Sequence, residues 1–347
     1  MKIPRSSSRS VADAFLADLA ARLPSGFWGS HVVVAVSGGA DSVALFTGLH
    51  ELASARAWPM RMVVAHAWHD LREEAAGDAE FVERLATERQ VPCAVARLQV
   101  LVPDGIRGEG IEARARRLRH RFFTEVARET GARYVVLAHT ADDQAETILH
   151  RGLRGTGVAG LAGMAFSRSL ADGIAVLRPL LGSPRAIVRH YLAARGQPWR
   201  EDASNADLRF ARNFLRHEIL TRCAAGPYPA AVQALVRLGG QAAVAAGALR
   251  SAAEHLLELY ARREADGEVT LRTARLAGLD EHLLAEIFVA LWQREGWPQR
   301  DMTSRHYGLL ARLAAASAAG STPDALLLPG RVSARAAARQ LLRVGPE

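Results

Sequence analysis

Between His31 and Leu177 the chain repeats one pattern: a short apolar run, a loop of small residues, then a stretch with helical spacing. The runs 31–36, 62–66, 93–98, 134–138 and 174–177 hold few polar positions, which predicts strands buried on both faces. The stretches 42–55, 73–89, 111–130 and 142–151 carry apolar residues at helical intervals. Apolar strands joined by helices form a parallel sheet covered on both sides, so the expected fold is α/β and Rossmann-like. Ligands in such folds settle where the carboxyl ends of the strands open. The loop 37–42, His66 and His139 all fall at such ends.

From about Pro229 the texture changes to alanine, leucine and arginine, with stripes such as Val232, Leu235, Val236 and Leu238, then Leu283, Ile287 and Leu291. This predicts an all-helical C-terminal domain. The expected division is 1–222, 223–320 and a tail or short hairpin over 321–347. No apolar run approaches the ~20 residues that a bilayer span needs. Arg5 and Arg9 are followed by Asp13 and Asp18 with Phe15, Leu19 and Leu23 at helical spacing, which reads as an amphipathic helix and not as a leader. Cys93 and Cys223 are the only cysteines and lie too far apart in sequence for a redox or metal-binding pair. These features point to a cytoplasmic protein. The net charge is +8, and Lys2 is the only lysine, so the positive charge is guanidinium, a group that suits phosphate oxygens. Arginine enrichment from genome composition explains the same charge without a polyanionic partner.

The first apolar run hands directly to Ser37, Gly38, Gly39, Ala40, Asp41 and Ser42. Backbone N–H groups at such a strand–loop–helix junction favour an anion. The lysine of the familiar phosphate loop is absent, and Asp41 stands where it would repel bare phosphate. A carboxylate there makes sense beside Mg2+ held through water or phosphate. An ordinary βα turn with an Asp at the helix start is the bland alternative. The block LAHTADDQAETILHRGLRGTGVAGLAGM, residues 137–164, puts His139 at a strand end and Asp143 and Glu146 three apart on the next helix. Two carboxylates beside a histidine can hold an ammonium group or take its proton. Capping by Asp142 with Asp143 and Glu146 in solvent is the alternative, and a metal ladder through His150 is broken by the strand-to-helix change at Ala141.

The signature SGGADS resembles that of the PP-loop ATP pyrophosphatases. The block at 137–164 is similar to the tRNA(Ile)-lysidine synthetase pattern within that class, with Thr140 where the family has a second histidine. Three further stretches agree with it: AHAWHDLREEAAGDAEFV from Ala65, where Trp68 and Asp70 depart from the pattern; GIEARARRLRHRFF from Gly110, with His120 at the family's tyrosine; and RPLL at Arg178 followed by WREDASNADLRFARNFLRHEIL from Trp199. The resemblance implies ligation of L-lysine, as co-substrate, to C2 of the wobble cytidine of tRNA(Ile) with anticodon CAU. The reaction would use ATP and Mg2+ and pass through an adenylated cytidine. It implies nucleotide contacts at Ser37, Gly38, Gly39, Ala40, Asp41, Ser42 and His66, with Asp41 also toward Mg2+. It implies catalytic roles for Asp41, His139 and Arg119, lysine binding by Asp143 and Glu146, and tRNA or phosphate contacts at Arg154, Arg212 and Arg216. A homodimer stays open. The rival readings are a PP-loop tRNA thiolase, which the lack of paired cysteines disfavours, and a nucleotide- and RNA-binding module without catalysis.

Overall fold

The computed structural model describes residues 5–69, 75–102, 109–201, 207–338 and 340–346. The chain divides into two compact units, Met1–Gly240 and Gln241–Glu347.

The first unit is built on six strands: β1 (His31–Ala35), β2 (Arg61–His69), β3 (Cys93–Leu98), β4 (Tyr134–Val136), β5 (Ser167–Ala171) and β6 (Ile174–Leu177), in the order β3-β2-β1-β4-β6-β5. All pairings are parallel except that of β5, which runs antiparallel along the edge beside β6. The strand alternation shows why the apolar runs must be buried on both sides. Val32 and Val34 belong to one core cluster, and Val33 between them belongs to another. Helices α1 (Arg5–Arg22), α2 (Ala40–Ala55) and α7 (Arg185–Arg195) supply the first cluster through Phe15, Leu19, Leu45, Leu49, Val188 and Tyr191. Phe15 stacks on Tyr191 with ring centroids 4.4 Å apart. Helix α4 (Ile111–Glu129) covers the other face with Phe123, Val126 and Ala127. The remaining helices are α3 (Ala75–Glu88), α5 (Ala141–Leu153), α6 (Val158–Leu161), α8 (Ala211–Phe214), which runs into a π-helical stretch at Leu215–Leu220, and α9 (Thr221–Ala225).

The sequence pattern missed β5. Its residues, SRSLA, lie at an edge and are nowhere fully buried, so they lack the apolar signature of the parallel strands.

Helix α10 (Ala231–Tyr260) contains the division between the units. By length and composition alone it passes for a membrane span, with a mean window hydropathy of 1.2. The second unit has the expected helices in α11 (Glu281–Glu295) and α12 (Ser304–Ala318), yet it is not wholly helical. A five-stranded antiparallel sheet completes it: β7 (Ala261–Arg263), β8 (Val269–Arg272), β9 (Leu326–Leu328), β10 (Val332–Ala338) and β11 (Leu341–Pro346), in the order β7-β8-β11-β10-β9. The tail is therefore a hairpin, β10–β11, and it pairs on into the sheet. Val269, Leu271, Leu342 and Val344 pack against Phe288, Leu291 and Trp292, which gives these short strands their reason to form.

Candidate active site

Strand β1 ends at Ala35, and its neighbour β2 holds the next turn in place, Val36 N–H donating to the Ala65 carbonyl at 3.0 Å. The chain then reverses through Gly38 at φ +91°, a conformation that a side chain would strain. The loop is braced internally. Ser37 N–H donates to Ser42 Oγ at 3.0 Å, and Ser42 Oγ donates to the Gly39 carbonyl at 2.9 Å. The two hydroxyls expected at a phosphate thus shape the loop. The N–H groups of Ala40, Asp41 and Ser42 lie in the first turn of α2, before its first 13-atom ring closes from Val43 to Gly39 at 3.0 Å. Those are the donors free for an anion.

His66 is buried under this loop, and its Nδ1–H donates to the Val36 carbonyl at 2.7 Å. A carbonyl only accepts, so the tautomer is fixed and Nε2 keeps an unpartnered lone pair. Burial lowers its pKa and keeps the ring neutral.

Asp41 projects from α2 toward α7, where Arg185 Nε donates to its Oδ2 at 3.2 Å. Its Oδ1 is buried and has no partner. Burial pushes the Asp41 carboxyl up to about 6, with Arg185 pulling the other way and Asp143 adding to the rise. Arg185 follows Pro184, which starts α7, and its own N–H donates to Asp142 Oδ2 at 2.8 Å. Its guanidinium then reaches two more carboxylates, Asp143 at 2.8 Å and Glu146 at 3.7 Å. Arg216, from the π-helical stretch, grips Glu146 through Nε and Nη2 at 2.6 and 3.1 Å and touches Asp143 at 3.3 Å. Three carboxylates and two guanidiniums therefore meet at one place. Counted by residue, the acids outnumber the cations by one.

Asp143 owes its position to Thr140. The Thr140 N–H and hydroxyl both donate to Asp143 Oδ2, at 2.8 and 2.9 Å, and close a capping box on α5. Burial alone would raise the Asp143 carboxyl, but Arg185 and the Thr140 donors outweigh it and hold it below the usual range. Thr140 is thus the cap that aims a site residue, which accounts for a hydroxyl at this position. The rest of the motif closes the loop after α5. Gln144 accepts from Met164 N–H at 2.8 Å and donates back to its carbonyl at 3.1 Å, and Arg151 donates to the carbonyls of Gly160 and Gly163. Gly163, at φ +70°, lies where a Cβ would stand 2.7 Å from the Gln144 amide.

His139 lies between β4 and α5 with Nδ1 buried and unpartnered. Burial lowers its pKa to about 4, with Arg178, Arg212 and Arg116 adding to the fall and Asp143 opposing it. The imidazole is neutral at physiological pH, well below the ordinary histidine range expected from sequence. Arg119 is exposed on α4, Arg212 on α8 and Arg154 at the end of α5. Arg216 is the exception among the expected RNA contacts, since its guanidinium is engaged by Glu146. Sequence reasoning missed Arg185 altogether. The signal was indirect: three acids converging at strand ends require a cation. Trp68 stands on β2 beneath Arg97 at 5.3 Å, whereas Asp70 lies outside the described residues.

Among the described residues no group of three His, Cys, Asp or Glu side chains could hold a metal alone. A site of one carboxylate completed by substrate phosphates is the usual arrangement for Mg2+, and the orphaned Asp41 Oδ1 fits it. Cys93 and Cys223 are both free thiols. A cavity of about 690 Å³ lies at the opposite, amino ends of β1 and β2, lined by His31, Trp58 and Arg61, and contains none of the site residues.

A parallel sheet whose central strand runs into SGGADS, with free first-turn amides and an orphaned carboxylate oxygen, defines a PP-loop nucleotide site. The PP-loop domain family matches residues 11–223. A solved U34-tRNA thiolase, NcsA from Methanococcus maripaludis, shares the fold with a TM-score of 0.57 at 12% identity, over 67% of this chain and 80% of that one. The tRNA(Ile)-lysidine synthase of Rhodopirellula baltica is 35% identical over 313 residues, 81% of this chain and 78% of the relative. Those of Solibacter usitatus and Thermus thermophilus are 41% and 42% identical over 257 and 223 residues, 72% and 64% of this chain. The matches span 54% and 41% of the length of those two relatives. The chain belongs to the tRNA(Ile)-lysidine synthase family.

Proposed function

We propose that this protein joins L-lysine through its ε-amine to C2 of the wobble cytidine of the CAU-anticodon isoleucine tRNA, with ATP cleaved to AMP and pyrophosphate. The observation that carries this reading is the acidic cluster beside the nucleotide loop. Asp143 and Glu146 already hold guanidinium cations in the free protein, so the seat is built for a basic nitrogen.

The chemistry has two steps. The C2 oxygen of cytosine attacks the α-phosphorus, and pyrophosphate leaves toward the first-turn amides of Ala40, Asp41 and Ser42. His66 Nε2 accepts a hydrogen bond from the nucleotide. Mg2+, held by Asp41 and phosphate oxygens, would supply charge neutralisation for the departing pyrophosphate. The ε-amine then attacks C2, and AMP departs with the former C2 oxygen. Lysine arrives as an ammonium with a pKa near ~10.4, so it must lose a proton before attack. Asp143 and Glu146 bind that ammonium, which takes the place of the Arg216 guanidinium, so one cation is exchanged for another at the same acids. His139, already neutral, offers Nδ1 as the acceptor. Burial is the main cause of its lowered pKa, and phosphate against Arg212 and Arg116 would remove part of what the cations add to it, which raises its basicity when a base is required. Arg119 and Arg212 meet the anticodon-loop or adenylate phosphates, and Arg154 the tRNA backbone. The wobble base reaches the site splayed from its loop.

The test uses the purified chain with ATP, Mg2+, radiolabelled lysine and a CAU tRNA transcript. Pyrophosphate release that depends on the tRNA, followed by transfer of label to it, is expected. Absence of tRNA-dependent pyrophosphate release would leave a binding module, and release without lysine transfer would return the thiolase reading.

A further inference from the structure

Beyond the acidic cluster, the same end of the sheet carries arginines of a different kind. Arg116, Arg119, Arg168, Arg178 and Arg212 form no ion pair among the described residues, although arginine–carboxylate pairs abound elsewhere in the chain. Two of them carry a buried Nε without a partner. Arg178 is 3% exposed and gives one nitrogen, Nη1, to the Ala165 carbonyl at 2.7 Å, while its Nε has no partner. Arg168, half-buried on β5, likewise has a buried Nε without a partner. Its Nη2 donates to His120 Nδ1 at 2.8 Å. A ring nitrogen that accepts from a guanidinium carries no proton, so His120 is a neutral spacer and adds no counter-charge. Burial and the surrounding arginines, Arg168 first, lower its pKa to about 4, in agreement. Buried guanidiniums with unmet donors are costly and call for an anion.

The topology says where that anion lies. Leu137 N–H donates to the Leu177 carbonyl at 2.9 Å, so the ends of β4 and β6 are level. Arg178, next after Leu177, therefore stands beside the segment that leads to His139 and on to Asp143 in the first turn of α5. Arg168 lies one strand further, on β5, opposite Val176. The site has two poles, acidic at Asp143 and Glu146 on α5 and basic at Arg178 after β6 and Arg168 on β5, and His139 lies on the segment that joins β4 to α5.

We propose that Arg168 and Arg178 form the subsite for the α-carboxylate of the incoming amino acid, so that its two charged ends are read at opposite poles. This rests on the reading above that lysine is the second substrate. A planar carboxylate suits paired guanidinium donors. RNA backbone phosphate is the competing anion, and it is better met by Arg116, Arg119 and Arg212, which are exposed, than by a side chain as deep as Arg178.

The test compares lysine with cadaverine, which keeps the chain and the ammonium but lacks the carboxylate. Both are assayed for transfer to the CAU tRNA by the wild-type chain, R168Q and R178Q. R168Q alters a half-buried edge position and keeps the test valid if R178Q does not fold. The wild type should prefer lysine by about 10- to 100-fold in kcat/KM, the range for a charge-assisted contact. R168Q should lose most of that preference, with the loss confined to the substrate that bears the carboxylate. The inference is overturned if the wild type uses both amines equally, or if R168Q slows both alike or neither. It is also overturned if R168Q instead weakens tRNA binding with a shallower salt dependence, which would assign these arginines to RNA phosphate. A wild type that transfers neither amine removes the lysine-ligation reading itself, and this subsite with it.

Discussion

Asp41 tests whether the free protein holds its active site at a cost. Its folded-state pKa is raised from 3.8 to about 6, chiefly by burial, and that value is already net of the attraction of Arg185. Below pH 4 the carboxyl is neutral in both folded and unfolded chains, and nothing is lost. As pH rises from about 4 to about 6 the unfolded chain ionises while the folded chain does not, and the folded chain is left behind by roughly 3 kcal/mol above that range. Asp41→Asn supplies the neutral form at every pH and keeps an oxygen for Arg185 Nε. The variant should therefore be more stable than the wild type by up to about 3 kcal/mol at pH 8, a rise of roughly 6–12 °C in the unfolding transition of the first unit. The gain should shrink between pH 6 and pH 4 and vanish below. Thermal unfolding across that range, without nucleotide, reads it directly. MgCl2 with ATP should stabilise the wild type and not the variant, and tRNA-dependent pyrophosphate release should be lost. A variant less stable than the wild type at pH 8, or a gain that persists unchanged at pH 4, would refute the argument that burial of an uncompensated charge sets this pKa.

Two further substitutions probe the cluster. Arg185→Met removes the cation shared by Asp41, Asp143 and Glu146, whose side chains are 24%, 18% and 2% exposed, and should cost about 3–5 kcal/mol at pH 7.5 in urea unfolding. Because Asp143 is held below its usual range in the folded state, that deficit should narrow as the pH falls below about 4; a deficit equal at both ends of the range counts against a charge effect. Thr140→Ala removes the capping hydroxyl of α5 and should cost about 1 kcal/mol with weaker lysine use, whereas Thr140→Ser should restore most of both; equal behaviour of the two variants would show that the methyl and not the hydroxyl matters.

What could be foreseen from sequence follows burial. The five parallel strands are legible because residues such as Val32, Val33 and Val34 must satisfy two covered faces at once, and only unbroken apolar runs do so. Antiparallel edge strands face no such demand. The residues of β5 (SRSLA) lie outside every apolar run and those of β7 (ARR) fall in a region expected to be helical, and both gain their structure from a neighbour's unpaired backbone. The same distinction runs through the site. The loop 37–42 and the pair Asp143 and Glu146 are local patterns, recoverable from spacing. The partners of those acids are not local: Arg185 and Arg216 come from 42 and 70 residues along the chain. Nothing around Arg185 marks it, and Arg216 sits four positions after Arg212 in a stretch that reads as a phosphate-facing stripe. Yet the two differ completely once folded, Arg216 turned onto Glu146 and Arg212 left to solvent. A charge is identified by what it faces, and sequence spacing carries that information only within a few turns of helix. Where two acids must be buried together, the search for their cation belongs at the ends of the neighbouring strands and helices, which is where α7 begins.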